Sequence, residues 1–323
     1  MKIRIFNHDE DLTTSRNFID IEDMDDFLLT LLFSEGEEDK PVRIIVDEQN
    51  HAVLVKFGTM NRLNCVDDEI HNLELLSSLK LRHLARFEFK SFFADACILG
   101  VEYIRPYYEG SSKISSFRDL CKTRNSINIK YAFFQVLITL CNLQKKFPGF
   151  RHNDLKADNV LIEKSLLNDI IYSLTLSKKR KSYRLKNCTI NAKIIDFELA
   201  NSTNNEIRSY TVKKNEDNMK NEFGLSEERC DFFDIHLLIY DITRYFKDNE
   251  FFSFVTDFIP VQYFYSPNIT NQSRLTLESQ RYLQNKIKEN VLYDMLSHPY
   301  FFDIRDDNLE EFDVIVDLDD INC

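Results

Sequence analysis

The sequence predicts an α+β protein, with a strand-rich first part followed by a long core helix. Three observations carry that expectation. Residues 42–57 hold two β-branched runs joined by the polar turn Asp47-Glu48-Gln49-Asn50, a hairpin signature. Residues 66–80 place Glu69, Leu73, Leu76 and Leu79 or Lys80 at helical spacing. From about 126 to 145, Ile129, Ala132, Phe133, Val136, Leu137, Leu140 and Leu143 form an apolar stripe too wide for a surface helix, which predicts a core helix.

Taken in order, the first part runs strand, strand, helix, strand. Lys56 ends the second strand, and the run Ala96 to Ile104 closes this part. Pro148-Gly149 ends the core helix, because proline lacks the amide proton that a continuing helix needs. A short polar loop, 151–159, follows and leads into the strand-like Val160-Leu161-Ile162. A second strand-like run, Ala192 to Ile195, comes after an insertion at about 164–191. Within the insertion, Ser177 to Lys186 hold six basic residues and no acid. The plain expectation there is a solvated, mobile hairpin; the sharper alternative is docking of an acidic partner.

Composition narrows the function classes. With 323 residues, 43 % of them hydrophobic, the chain can bury a substantial core. The opening residues turn acidic before an apolar stretch accumulates, and the apolar run Tyr131 to Leu143 is broken by Gln135 and Asn142, so neither export nor membrane insertion is expected. Seven cysteines without a closely spaced pair point to a reducing, intracellular setting. Residues 303–323 hold nine carboxylates against one arginine, −8 of the net −12. The remaining body is only mildly acidic and offers no general nucleic-acid surface.

Phosphoryl transfer from ATP needs a carboxylate at the acceptor hydroxyl, a cation near the transferred group, and oxygen ligands for magnesium from two separate elements. The sequence offers that set in order. Asp154 lies in the loop after the apolar helix, Lys156 is two residues on, Asn159 opens the next strand, and Asp196 follows the strand Lys193-Ile194-Ile195.

His152, Asp154, Leu155, Lys156 and Asn159, with the downstream pair Asp196-Phe197, resemble the catalytic loop and metal-binding turn of eukaryotic-type serine/threonine protein kinases. The narrower likeness is to divergent kinases of large nucleocytoplasmic DNA viruses. The resemblance implies a bilobal, protein-kinase-like fold, with a small β-rich lobe at 1–104, a mainly helical lobe at 105–303 and an acidic tail at 304–323. It implies Asp154 as catalytic base, Lys156 on the γ-phosphate, and Asn159 and Asp196 as ligands of Mg²⁺ or Mn²⁺. His152 would pack the loop against Phe197. Lys56 would pair with Glu69 on the helix, with Asp68 and Glu74 as competitors. Glu102 and Ile104 would offer hinge backbone groups to the adenine of ATP, and Asp234 would brace the catalytic loop. His298-Pro299-Tyr300-Phe301 resembles the segment that ends many kinase domains. The implied partner is a protein substrate with a serine or threonine hydroxyl, in the cytoplasm of a host cell or in a virion.

The pattern also breaks in places. Ser34 to Asp39, where a glycine-rich loop would precede Lys56, has one glycine among carboxylates. Glu198 follows Asp196-Phe197 in place of glycine, and Asn153 replaces the arginine that pairs with a phosphorylated activation segment in many kinases. Glu222 is the candidate for the glutamate that anchors that segment. These departures keep two alternatives open: a scaffold without turnover, and a small-molecule kinase of the choline or aminoglycoside type, whose motifs Asn153 and Glu198 also match. In the acidic tail, Phe312, Val314, Val316 and Leu318 alternate, which leaves room for a strand or for docking on the basic insertion.

Overall fold

The computed structural model describes residues 2–7, 19–20, 42–49, 51–59, 63–93, 96–109, 112–176, 179–214, 230–261, 291–306 and 316–317. Ser34 to Asp39, Glu222, Phe312, Val314 and Leu318 lie outside them. The chain is α+β, rich in sheet first and in helix later, and divides into two compact units. The first holds residues 1–78 and 85–103; the second holds 79–84 and 104–323.

The first unit is built on a six-stranded sheet. Its strands are β1 (Lys2–Asn7), β2 (Ile19–Asp20), β3 (Val42–Asp47), β4 (Ala52–Thr59), β5 (Phe87–Phe93) and β6 (Ala96–Glu102), in the order β2-β1-β3-β4-β6-β5. Every pairing is antiparallel. The β3–β4 turn closes because the Asp47 carboxylate accepts from the amides of Gln49 and His51 at 2.9 and 2.8 Å. Ile5, Ile45, Val55 and Ile98 pack on one face of the sheet. Helix α1 (Leu63–Ser78) packs on the sheet with Ile70, Leu73 and Leu76 buried, the face that the helical spacing of Leu73 and Leu76 predicts.

The expected strands at 42–57 and 96–104 and the helix at 66–80 all form, with ends shifted by a few residues. β1, β2 and β5 were not expected. In β5, Glu88, Lys90 and Ser91 interrupt the apolar residues, and a bulge between Phe87 and Phe89 spoils strict alternation.

The second unit is organised around the core helix. After β7 (Tyr107–Glu109) and β8 (Ser112–Ile114), helix α2 (Phe117–Thr123) is capped by Ser116, and α3 (Ser126–Lys146) by Asn125. By length and composition α3 could cross a membrane, yet 89 % of its apolar window is buried inside the protein, as befits a core helix. Phe134 on α3 meets the rings of Tyr172, Tyr183 and Phe301, while Phe133 meets Phe251 and Phe254. Beside α3, β9 (Val160–Lys164) pairs antiparallel with β12 (Ile190–Ile194). Helices α4 (Tyr210–Lys214), α5 (Phe233–Tyr245), α6 (Asn249–Thr256) and α7 (Val291–Leu296) follow.

The insertion corrects one expectation. It does form a hairpin, β10 (Ile170–Leu176) with β11 (Lys179–Leu185), but that hairpin is a core element. Ile170, Tyr172, Ser173, Leu174, Tyr183 and Leu185 are at most 1 % exposed. The basic residues drew attention away from the period-2 series Tyr172-Leu174 and Tyr183-Leu185, which faces inward. The chain after the 3₁₀ turn Pro299–Phe301 continues along β11, where Arg184 donates its amide to Ile304 and Asp306 donates to Ser182. The backbone of Val316–Asp317, β13, runs parallel to β10 as a third strand.

His83 is locked into this arrangement. Its ring bonds the Tyr172 hydroxyl at 2.8 Å and the Ala192 carbonyl at 2.9 Å, and burial lowers its pKa from 6.5 to about 3. The folded protein therefore holds this ring neutral, whereas the unfolded chain takes up a proton below pH 6.5. Stability that is intact above pH 6.5 should fall toward pH 3, by up to about 1.4 kcal/mol per pH unit. Urea melts between pH 7.5 and 5 check this: His83→Gln should flatten the slope, and an unchanged slope would refute it.

Candidate active site

In the first unit, Lys56 sits on β4 opposite Val42 and Leu99, and its Nζ lies 2.6 Å from Glu69 Oε1 on α1. Glu69 is nearly buried, which makes the pair a tie between helix and sheet. Its competitor Glu74 is placed elsewhere and pairs with Lys90 at 2.8 Å. Glu102 ends β6 with its amide donated to the Arg86 carbonyl and its carboxylate receiving the Arg86 amide. Ile104 opens the long part of the second unit and is buried.

The polar loop lies in the second unit, between α3 and β9. Its start is held by Asp234, the second residue of α5. The two carboxylate oxygens accept the amides of His152 and Asn153 at 2.7 and 2.9 Å. Burial raises the Asp234 pKa, and His152, Arg151 and the two amides pull against that rise. The His152 ring stands 5.0 Å from the ring of Phe197 and bonds the Ile195 carbonyl at 2.8 Å.

Within the loop, Lys156 Nζ and Asn159 Nδ2 both reach Asp154 Oδ2, at 2.7 and 3.0 Å. Asn159 Nδ2 also donates to the Asp154 carbonyl at 2.8 Å. Two consequences follow from this sharing. Asp154 is held through one oxygen, Oδ2, so Oδ1 takes no part in either of these bonds. Asn159, with its NH₂ turned to Asp154, turns its amide oxygen the other way. The Asn159 carbonyl accepts the Ile195 amide at 3.0 Å, which brings Asp196 next to it in the chain.

Asp196 has φ +69° and Asn153 φ +67°, in the left-handed region where a non-glycine residue costs roughly 1 kcal/mol or more. Asn153 donates from Nδ2 to the Leu199 carbonyl at 2.7 Å and to Asn201 Oδ1 at 3.3 Å, and Arg151 and Asn201 exchange backbone bonds. The Asn153 side chain thus ties the loop to the segment after Asp196-Phe197-Glu198.

Two residues absent from the sequence expectations hold the loop from neighbouring helices, Asp241 on α5 and Arg118 on α2. Asp241 accepts the amide of Ala157 at 2.8 Å, and Arg118 reaches Asp158 at 2.6 Å. The available signal was the spacing of Asp234 and Asp241, seven residues apart and so on one face of a helix rich in apolar residues.

No family model matches the chain. A stretch of 32 residues, 10 % of the chain, is 59 % identical to a protein of Acanthamoeba polyphaga mimivirus named "Putative serine/threonine-protein kinase". The likeness is to a kinase. It covers 7 % of the mimivirus protein's length, so it speaks for kinase relatedness over a short stretch and for nothing about the rest of that protein.

Proposed function

We propose that the chain is an ATP- and Mg²⁺-dependent protein kinase that phosphorylates serine or threonine hydroxyls. The observation that carries this reading is the state of Asp154: one carboxylate oxygen, Oδ2, is held by Lys156 and Asn159, which leaves the other outside both of those bonds. A carboxylate fixed in that way suits the removal of a proton from an acceptor hydroxyl. In the reaction, the hydroxyl oxygen bonds to the γ-phosphorus of ATP, the bond to the β–γ bridging oxygen breaks, ADP leaves, and Asp154 takes the hydroxyl proton. Lys156 would offset negative charge on the phosphoryl oxygens.

The donor set fits a hard divalent cation. Asn159 offers a neutral amide oxygen, because its nitrogen is committed to Asp154, and Asp196 offers a carboxylate; both are ligand types that Mg²⁺ and Mn²⁺ favour. When bound, the ion would screen the charge of the phosphates. Lys56, held by Glu69, would bind phosphate oxygens, and Glu102 and Ile104 would take the adenine. The internal bonds of Asn153 support a loop that does not wait for a phosphorylated segment.

The test is incubation with labelled ATP and Mg²⁺ or Mn²⁺, offered either a generic basic protein or choline. Label on protein serine and threonine is expected. Label on choline alone would reassign the chain to small-molecule kinases. Alongside it, Mg-ATP at 100 times its Kd should stabilise the protein by about 2.7 kcal/mol in a thermal-shift titration. No shift and no label would leave a scaffold without turnover.

A further inference from the structure

We infer that Asp241 is a positioning residue for Asn159 and Asp154, a second carboxylate from α5 that anchors the far end of the loop. This inference rests on the kinase reading for its effect on turnover, but its structural part does not. Asp234 holds the loop where it begins, at His152 and Asn153. Asp241, two helical turns further along α5, holds it where it ends, at the amide of Ala157.

That amide needs a partner. Ala157 opens the 3₁₀ turn Ala157–Asn159, where the first amides have no acceptor inside the turn, and it is fully buried, so water cannot serve instead. Asn159, two residues on, is the residue whose Nδ2 grips both the backbone and the carboxylate of Asp154. A shift of the turn therefore moves the amide oxygen offered to the cation and loosens the hold on the base.

Asp241 is itself fixed. Its side chain is 9 % exposed, with Arg118 at 3.6 Å and Arg244 at 4.0 Å. Arg118 also pairs with Asp158 in the loop and lies over the ring of Tyr245, 5.3 Å from its centroid. Two roles are thus conceivable for Asp241: acceptor for the Ala157 amide, or counter-charge for the two guanidinium groups. The geometry points to the first, because 2.8 Å is a hydrogen bond and 3.6 and 4.0 Å are looser ion-pair contacts.

Asp241→Asn keeps an oxygen acceptor in place and removes the charge, whereas Asp241→Ala removes both. Asp241→Glu keeps the charge and displaces the oxygen, and serves where the alanine variant does not fold. The first readout is amide exchange of the loop, residues 152–160, in the full chain. Faster exchange is expected in the Ala and Glu variants and near-native exchange in Asn. The second is the Mg²⁺ concentration for half-maximal rate, which should rise about tenfold in Ala and Glu, as for the loss of a group that orients a metal ligand, with KM for ATP at saturating Mg²⁺ little changed. A merely structural role would lower the amount of active protein without moving that concentration. Unchanged exchange in Ala and Glu, or an Asn variant as impaired as they are, overturns the inference. If the native chain transfers no phosphate to any acceptor while the exchange pattern holds, the kinase reading fails and the anchoring role stands.

Discussion

Asp154→Asn should lower kcat by about 10²–10⁴-fold, the range for loss of a general base. The variant is nearly isosteric, and the geometry fixes how it would sit. Lys156 and Asn159 both donate to Oδ2, so the new amide would turn its oxygen toward them and its NH₂ toward the place of the acceptor hydroxyl. An NH₂ group cannot take a proton from a hydroxyl. Nucleotide binding should persist, so the Mg-ATP thermal shift of the variant should match that of the native protein. A variant that transfers phosphate at the native rate would remove Asp154 from the chemistry.

Asp234→Ala should be the most damaging substitution for the fold around the site. It strands two buried amides, those of His152 and Asn153, each at roughly 1–3 kcal/mol. Together that is a large share of the ~5–15 kcal/mol that holds a domain folded. Asp234→Asn should also be costly, since its single oxygen can serve one amide and its NH₂ would face the other. Urea denaturation gives the comparison; a loss under about 1 kcal/mol for the alanine variant would show that the loop does not depend on this brace.

Much of the loop is legible in the sequence, because its residues act through short sequence separations. Asp154, Lys156 and Asn159 lie within six positions, and a tight loop brings such neighbours together whatever surrounds it. His152 against Phe197 was expected from the family resemblance, and the rings do meet. Spacing to Leu73 and Leu76 put Glu69 ahead of Asp68 and Glu74 without excluding them, since all three lie on one helix. The rotation of α1 against β4 selects it.

The insertion shows the opposite case. Six basic residues in ten described its charge and hid its packing, because a two-residue period is hard to see in a short strand broken by lysine and arginine. Only the placement of Phe134 on α3, and of His83 after α1, makes Tyr172 and Tyr183 core residues.

By itself the sequence determined the α+β class, the core helix and the order of the loop residues, all of which follow from local periodicity and short-range spacing. The tertiary structure alone decided that Asp241 meets Ala157, that Asn153 bonds Leu199 and Asn201, and that Tyr172, Leu174, Tyr183 and Leu185 of the insertion are buried. Those contacts join residues 46–84 positions apart, and a sequence carries no local signal for which distant amide a carboxylate will find once the chain has packed.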